Sequence, residues 1–217
     1  MAKLIKETLS KQIYDILKAD IIEQRIPCGE KITLKALQER FELSSTPIRE
    51  AIKALSSQGL INDVTNVGAR VITFNQNDII EIYDYCFILD SAALRLSMER
   101  DSKSFGLTIE KCVKAQKEAL DNKDLNSFKR HSDDFHDIFF RFAANRRLYD
   151  ASERLRSQLS ILTARYQSED IARSVVFVEH TQIAGAIAAN NPRKAEELLR
   201  QHFEHEKNYL LSNSRAD

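Results

Sequence analysis

From Thr8 to Gln24, apolar residues recur at helical spacing, at Leu9, Ile13, Ile16, Leu17 and Ile21, with Asp20 interrupting the row. Pro27 and Gly29 end that helix, because Pro cannot continue it and Gly suits a turn. A second, short helix is predicted from Thr33, a plausible N-cap, to Phe41, with Leu34 and Leu37 inward. After the connection Glu42-Leu43-Ser44, a third helix starts at Ser45 or Thr46. Pro47 lies in its first turn, where a missing N–H costs nothing. Ile48, Ala51, Ile52 and Leu55 form its apolar row, and Gly59 is a C-terminal stop. Two short β-rich runs, Leu60 to Val64 and Arg70 to Phe74, flank an Asn/Gly turn and read as a hairpin. Three helices followed by a small hairpin is the layout of a winged helix-turn-helix.

From Asn75 onward the pattern is helical. Breaks fall near Asp101 to Phe105, Asp121 to Asp124, Asn145, Glu169 to Arg173 and Asn190-Asn191-Pro192. They divide this part into about six helices, and the short connections predict an antiparallel bundle. The fold class is therefore mostly α, with residues 1–75 as a DNA-binding domain and 76–217 as a helical domain.

Composition narrows the picture. The 217 residues include only 5 Gly and 3 Pro, which agrees with a helical chain, since hairpin turns consume both. No run approaches the roughly 18 apolar residues of a membrane span, and the start lacks the apolar core of a secretory signal. A cytoplasmic protein with no membrane partner is expected. Cys28, Cys86 and Cys112 match neither a disulfide framework nor a zinc knuckle, and read as reduced thiols. Lys plus Arg and Asp plus Glu balance at 32 each, so nucleic-acid binding would need a local basic surface.

Such a surface is predicted on the third helix. In a helix-turn-helix the N-terminal residues of the second helix of the motif lie nearest the bases. Here these are Ser44, Ser45, Thr46, Arg49 and Lys53. Hydroxyls and N–H groups at a helix start suit phosphate oxygens, and Arg49 could reach guanine O6 and N7 with its two-pronged guanidinium. Lys35 could hold backbone phosphate, and the wing tip from Asn66 to Gly68 could approach the minor groove.

These residues also carry a resemblance. Residues 9–74 resemble the winged helix of the GntR family of bacterial regulators. The marks are Ile13-Tyr14-Asp15-Ile16-Leu17, Pro27-Cys28-Gly29, Thr46-Pro47-Ile48-Arg49-Glu50-Ala51-Ile52, Gln58-Gly59-Leu60-Ile61 and Gly68-Ala69-Arg70-Val71. Ser45 stands where the family commonly has a DNA-contacting Arg, which leaves the operator sequence open. Residues 76–212 resemble the FCD ligand-binding domain of the FadR-like branch. This rests on Phe135-His136, Asn145 with Leu148, Glu179-His180 with Ile183, Ala186 and Ile187, then Ala195 and His202. Six helices would place it with the shorter, VanR-like members.

By that resemblance the bundle encloses a pocket, in which many members hold a divalent metal with one Asp and three His. His136, His180 and His202 fall mid-helix on three separate predicted helices, and imidazole is the commonest metal ligand. His131 and His205 read as ordinary histidines. The family's Asp lies four residues before the first His, a position held here by Ser132, so water, the effector or a shifted Asp133 would complete the site. Three imidazoles do not distinguish Zn, Ni, Mn and Fe. Cys86 stands where many members have an Arg that grips an acid effector. Asp90 and Asn145 join it as candidate pocket residues.

The expected function is a homodimeric transcription regulator, in such families often a repressor, that reads palindromic operator DNA. A small-molecule effector bound in the helical domain would control it. The alternative from another class is a metal-dependent hydrolase using the three-His site, although no general base or oxyanion donor set stands out.

Overall fold

The computed structural model describes residues 8–64 and 68–213. They divide into two compact units, Met1–Phe74 and Asn75–Asp217.

The first unit holds α1 (Leu9–Ile22), β1 (Lys31–Ile32), α2 (Leu34–Phe41), α3 (Ser45–Ser57), β2 (Ile61–Val64) and β3 (Gly68–Val71). Thr8 and Thr33 cap α1 and α2 by accepting from Lys11 N and Ala36 N. Such bonds satisfy amides that a helix start leaves without partners. Glu42 takes a left-handed conformation between α2 and α3, and Gly59 does so just past α3, where a residue without Cβ fits most easily. The predicted apolar row of α3 is buried in full: Ile48, Ala51, Ile52 and Leu55. Ile13, Leu17 and Ile21 of α1 are also buried.

Two features of this unit differ from the sequence reading. The sheet has three strands in the order β1-β3-β2, both pairs antiparallel, with Lys31 opposite Arg70 and Ile61 opposite Val71. A two-residue strand is too short to show alternation, so β1 left no mark in the hydrophobic pattern. In α1, Leu9 and Ile16 are exposed, whereas Asp20 is buried. Asp20 therefore belongs to the inward stripe that it seemed to interrupt. Its carboxylate accepts from Arg25 Nε at 2.5 Å and pairs with Arg40 Nη2 at 2.6 Å, which ties α1 to α2. Burial alone would raise this carboxyl, but the bonds from the two guanidinium groups outweigh it and hold the pKa below its ordinary value.

The second unit comprises α4 (Gln76–Asp121), α5 (Leu125–Ala143), α6 (Arg146–Tyr166), α7 (Asp170–Ala188) and α8 (Pro192–Asn213). A reciprocal capping box between Asn75 and Asp78 starts α4. The helix kinks at Asp101 (φ −154°, ψ 72°), so it acts as two segments, and six helical segments result. Asp101 caps the second segment by accepting from Ser104 N at 3.0 Å. α4 packs against all four other helices of the unit. Phe105, Phe128, Phe135 and Phe139 are fully buried among them. No helix among the described residues is long and apolar enough to cross a membrane.

Candidate functional site

In the first unit the inward row of α3 dictates the outward one. With Ile48, Ala51, Ile52 and Leu55 buried, Thr46, Arg49, Glu50 and Lys53 face solvent. Arg49 and Lys53 lie one turn apart on the same side. Ser44 occupies the N-cap position but makes no side-chain capping bond, and it is exposed; Ser45 is half-buried. On α2, the Lys35 side chain is 88% exposed, and its ammonium lies 3.9 Å from Glu39. Gly68 opens β3, opposite Val64. Asn66, at the predicted wing tip, lies outside the described residues.

In the second unit three histidines meet. One ligating atom each from His136, His180 and His202 lies within 4.8 Å of the others. His136 comes from α5, His180 from α7 and His202 from α8, so the cluster exists only once the bundle has closed. Each ring is aimed by a different acceptor. His136 Nδ1 meets Asp90 Oδ2 at 2.7 Å, His180 Nδ1 meets Gln116 Oε1 at 3.0 Å, and His202 Nδ1 meets Glu179 Oε2 at 2.8 Å. A ring whose Nδ1–H is donated outward presents the lone pair of Nε2 inward, the tautomer that binds a metal. His180 Nε2 is buried and has no protein partner, as such a ligand would be. Phe135 stacks on the His180 ring, with centroids 4.0 Å apart and planes within 9°.

Electrostatics suits this role for two of the three. Burial, with the neighbouring imidazoles, pushes His180 well below the ordinary histidine pKa. Burial also lowers His136, despite the opposing bond to Asp90. Both shifts favour the neutral imidazole, the form in which histidine binds a metal. His202 goes the other way. Burial lowers it, but Glu206 and Glu179 together prevail and raise it.

A cavity of about 50 Å³ opens beside the cluster, room for roughly four water-sized groups. His136 and His202 reach its wall together with Asp90 and Glu206. From α6, Arg156, Ser160 and Thr163 add a polar side, with Ser132 and Gln167 nearby. Gln167 Nε2 donates to Ser132 Oγ at 2.9 Å, so the residue at the family's Asp position is already held by a neighbour. Asp133 touches the cavity from an exposed position. Arg156 lies over the Phe140 ring at 4.8 Å, and its Nη1 is buried without a partner.

The other sequence candidates do not reach the cavity wall. Asn145 is the N-cap of α6, and its Oδ1 accepts from Leu148 N at 3.2 Å. Cys86 is buried in the core, and burial pushes its thiol far above the ordinary range. Gln116, Arg156, Glu179 and Glu206 were not singled out from the sequence. Two signals were available: Glu179 stands beside His180 as part of a Glu-His pair, and Glu206 lies four residues after His202.

Comparison with known proteins agrees with both halves. Residues 9–71 match the gntR family of bacterial regulatory proteins, and residues 81–205 match the FCD domain. The chain is 28% identical over 200 residues to the probable D-xylose utilization operon transcriptional repressor of Paenarthrobacter nicotinovorans, covering 92% of this chain and 88% of that one. It is also 28% identical over 207 residues to the HTH-type transcriptional repressor GlaR of Escherichia coli K12, covering 88% and 90%. Among solved structures, E. coli McbR/YncC superposes with a TM-score of 0.82 at 16% identity, over 97% of this chain and all of that one, a likeness of fold. These matches are to regulators, and the hydrolase alternative finds no support in either half. The chain belongs to the GntR family of DNA-binding transcription regulators and carries an FCD domain behind its helix-turn-helix.

Proposed function

We propose that this regulator is a homodimeric repressor that reads a palindromic operator with α3. A small anionic metabolite, taken up beside a divalent metal in the helical unit, controls it. The observation that carries the control site is the shared arrangement of the three histidines. Each is tethered outward through Nδ1, while ligating atoms converge within 4.8 Å and His180 Nε2 is left without a partner. A dication there would polarise an oxygen of the bound effector.

The residues of the chain supply the rest. Asp90, Gln116 and Glu179 hold the imidazoles in register. Ser160 and Thr163 line the polar side while their hydroxyls donate to Arg156 O and Ser160 O, so the donor for a carboxylate or phosphate oxygen is the unpartnered Nη1 of Arg156. The arginine that the first sensor helix lacks at Cys86 is thereby supplied from α6. The cavity admits only a small ligand or the head group of a larger one. Control requires the effector to bind one arrangement of the dimer more tightly than the other.

Two measurements test this reading. Elemental analysis of protein purified without chelators should find one divalent ion per chain. Electrophoretic shift with DNA from upstream of its own gene should be sequence-selective and weaken with salt. No selective shift under any metal condition would count against operator binding, and a metal-free protein that rejects added zinc would remove the control site.

A further inference from the structure

We infer that Glu206 is the protein carboxylate that completes the metal centre. This rests on the three-histidine reading above and adds a fourth ligand to it. Three neutral imidazoles bring no charge to a buried dication, and charged groups in a protein interior require an opposite partner. Two of the carboxylates around the cluster are already committed. Asp90 meets His136 Nδ1, and Glu179 bridges the Nδ1 atoms of His202 and His205, both at 2.8 Å. Ser132 is uncharged and tied to Gln167, and Asp133 is exposed.

Glu206 differs from all of these. Its residue is 3% exposed, it lines the cavity, and its Oε1 has no hydrogen-bond partner. The other oxygen, Oε2, accepts from Tyr83 Oη at 3.4 Å, which holds the carboxylate from the far side. Oε1 lies 3.9 Å from His202 Nε2. That is too long for a hydrogen bond. It is slightly longer than the roughly 3.4 Å that separates two ligands each about 2.1 Å from a tetrahedral ion. Glu206 is not among the groups whose ligating atoms converge within 4.8 Å, so its side chain must turn toward His136 and His180 to join them. The spacing is also apt. His202 and Glu206 are four residues apart on α8, which puts both on one helix face, as in helices that present paired metal ligands. A buried carboxylate oxygen without a partner is costly in the metal-free protein, and a metal ion would repay that cost.

The test uses the full-length protein, stripped of metal by chelator, with zinc alone as the probe and a competing chelator to set its free concentration. Glu206→Gln keeps the shape and removes the charge. The expected result is a loss of zinc affinity of about 10-fold or more, with metal-free thermal stability equal to or above that of the parent. Cobalt substitution gives a second readout, a changed visible spectrum that reports the lost oxygen ligand. Glu206→Asp, which keeps the charge on a shorter arm, should fall between the two and serves if the Gln variant does not fold. Unchanged zinc affinity and cobalt spectrum in Glu206→Gln would overturn the assignment while leaving the histidine centre intact. Failure of the parent itself to bind zinc or cobalt would overturn both.

Discussion

The two units carry their candidate functional groups on opposite sides of the same folding pattern. In the DNA-binding unit the apolar row of α3 is buried and the chemistry faces out, at Thr46, Arg49 and Lys53. In the helical unit the chemistry lies inside, where His180 and His202 share the buried faces of α7 and α8 with Ile183 and Leu199. An outward site can change without disturbing the core behind it. An inward site is part of the core, so its polar groups need partners; Asp90, Gln116 and Glu179 supply them for the Nδ1 atoms of the three histidines and leave His180 Nε2 without one. Function and stability should therefore separate in the first unit and travel together in the second.

The largest test of that contrast is His180→Ala. It should abolish stoichiometric metal binding and, with it, the metal-dependent part of thermal stability, about 2.7 kcal/mol when the ion stands at 100 times its Kd. It also leaves Gln116 Oε1 without its partner, so the metal-free protein should melt earlier as well. Calorimetry with and without zinc, beside elemental analysis, reads both effects. Equal metal content in variant and parent would break the account of the inward site.

Arg49→Ala is the counterpart for the outward site. Specific operator affinity should fall by about 1–3 kcal/mol, roughly 5- to 150-fold, with melting temperature and metal content unchanged. A clear loss of stability would show that the two faces of α3 are not independent.

Asp20 sharpens the comparison, because it is an inward charge of the DNA-binding unit that pairs two helices. Its folded pKa is depressed relative to about 3.9 in the unfolded chain. Its contribution is therefore present above about pH 4 and is lost as pH falls through the lower folded value. Asp20→Asn should lower the stability of that unit by about 1–3 kcal/mol at neutral pH and flatten its acid unfolding below pH 4. Circular dichroism across pH checks the sign.

The smallest effect is expected of Lys35→Ala. Its exposed ammonium is suited to phosphate, so binding should weaken almost equally for all DNA sequences. The slope of log affinity against log salt should drop by about 1. A sequence-dependent loss would instead place Lys35 at the bases.

Much of the fold was legible because helix periodicity is a local property. The row of α3, the cap at Thr33, the stop at Gly59 and the breaks at Asn145 and Pro192 could be read from a few neighbouring residues. Where the reading slipped, a non-local partner decided. Asp20 looked like an interruption because Arg40, on the next helix, was not known to reach it. β1 exists only through its pairing with β3.

The same division governs the sites. Sequence by itself determined the candidates: the reading helix from its place between a short helix and a hairpin, and the three histidines through the resemblance to the FCD domain. Only the tertiary structure decided what surrounds those histidines. Asp90 lies 46 residues from His136, and Gln116 lies 64 from His180. No periodicity links such pairs; packing of α4 against α5 and α7 brings them together. The unpartnered atoms of Arg156 and Glu206 became visible only in the closed bundle as well. A polar atom left without a partner is a property of the closed bundle, and no stretch of chain reveals it beforehand.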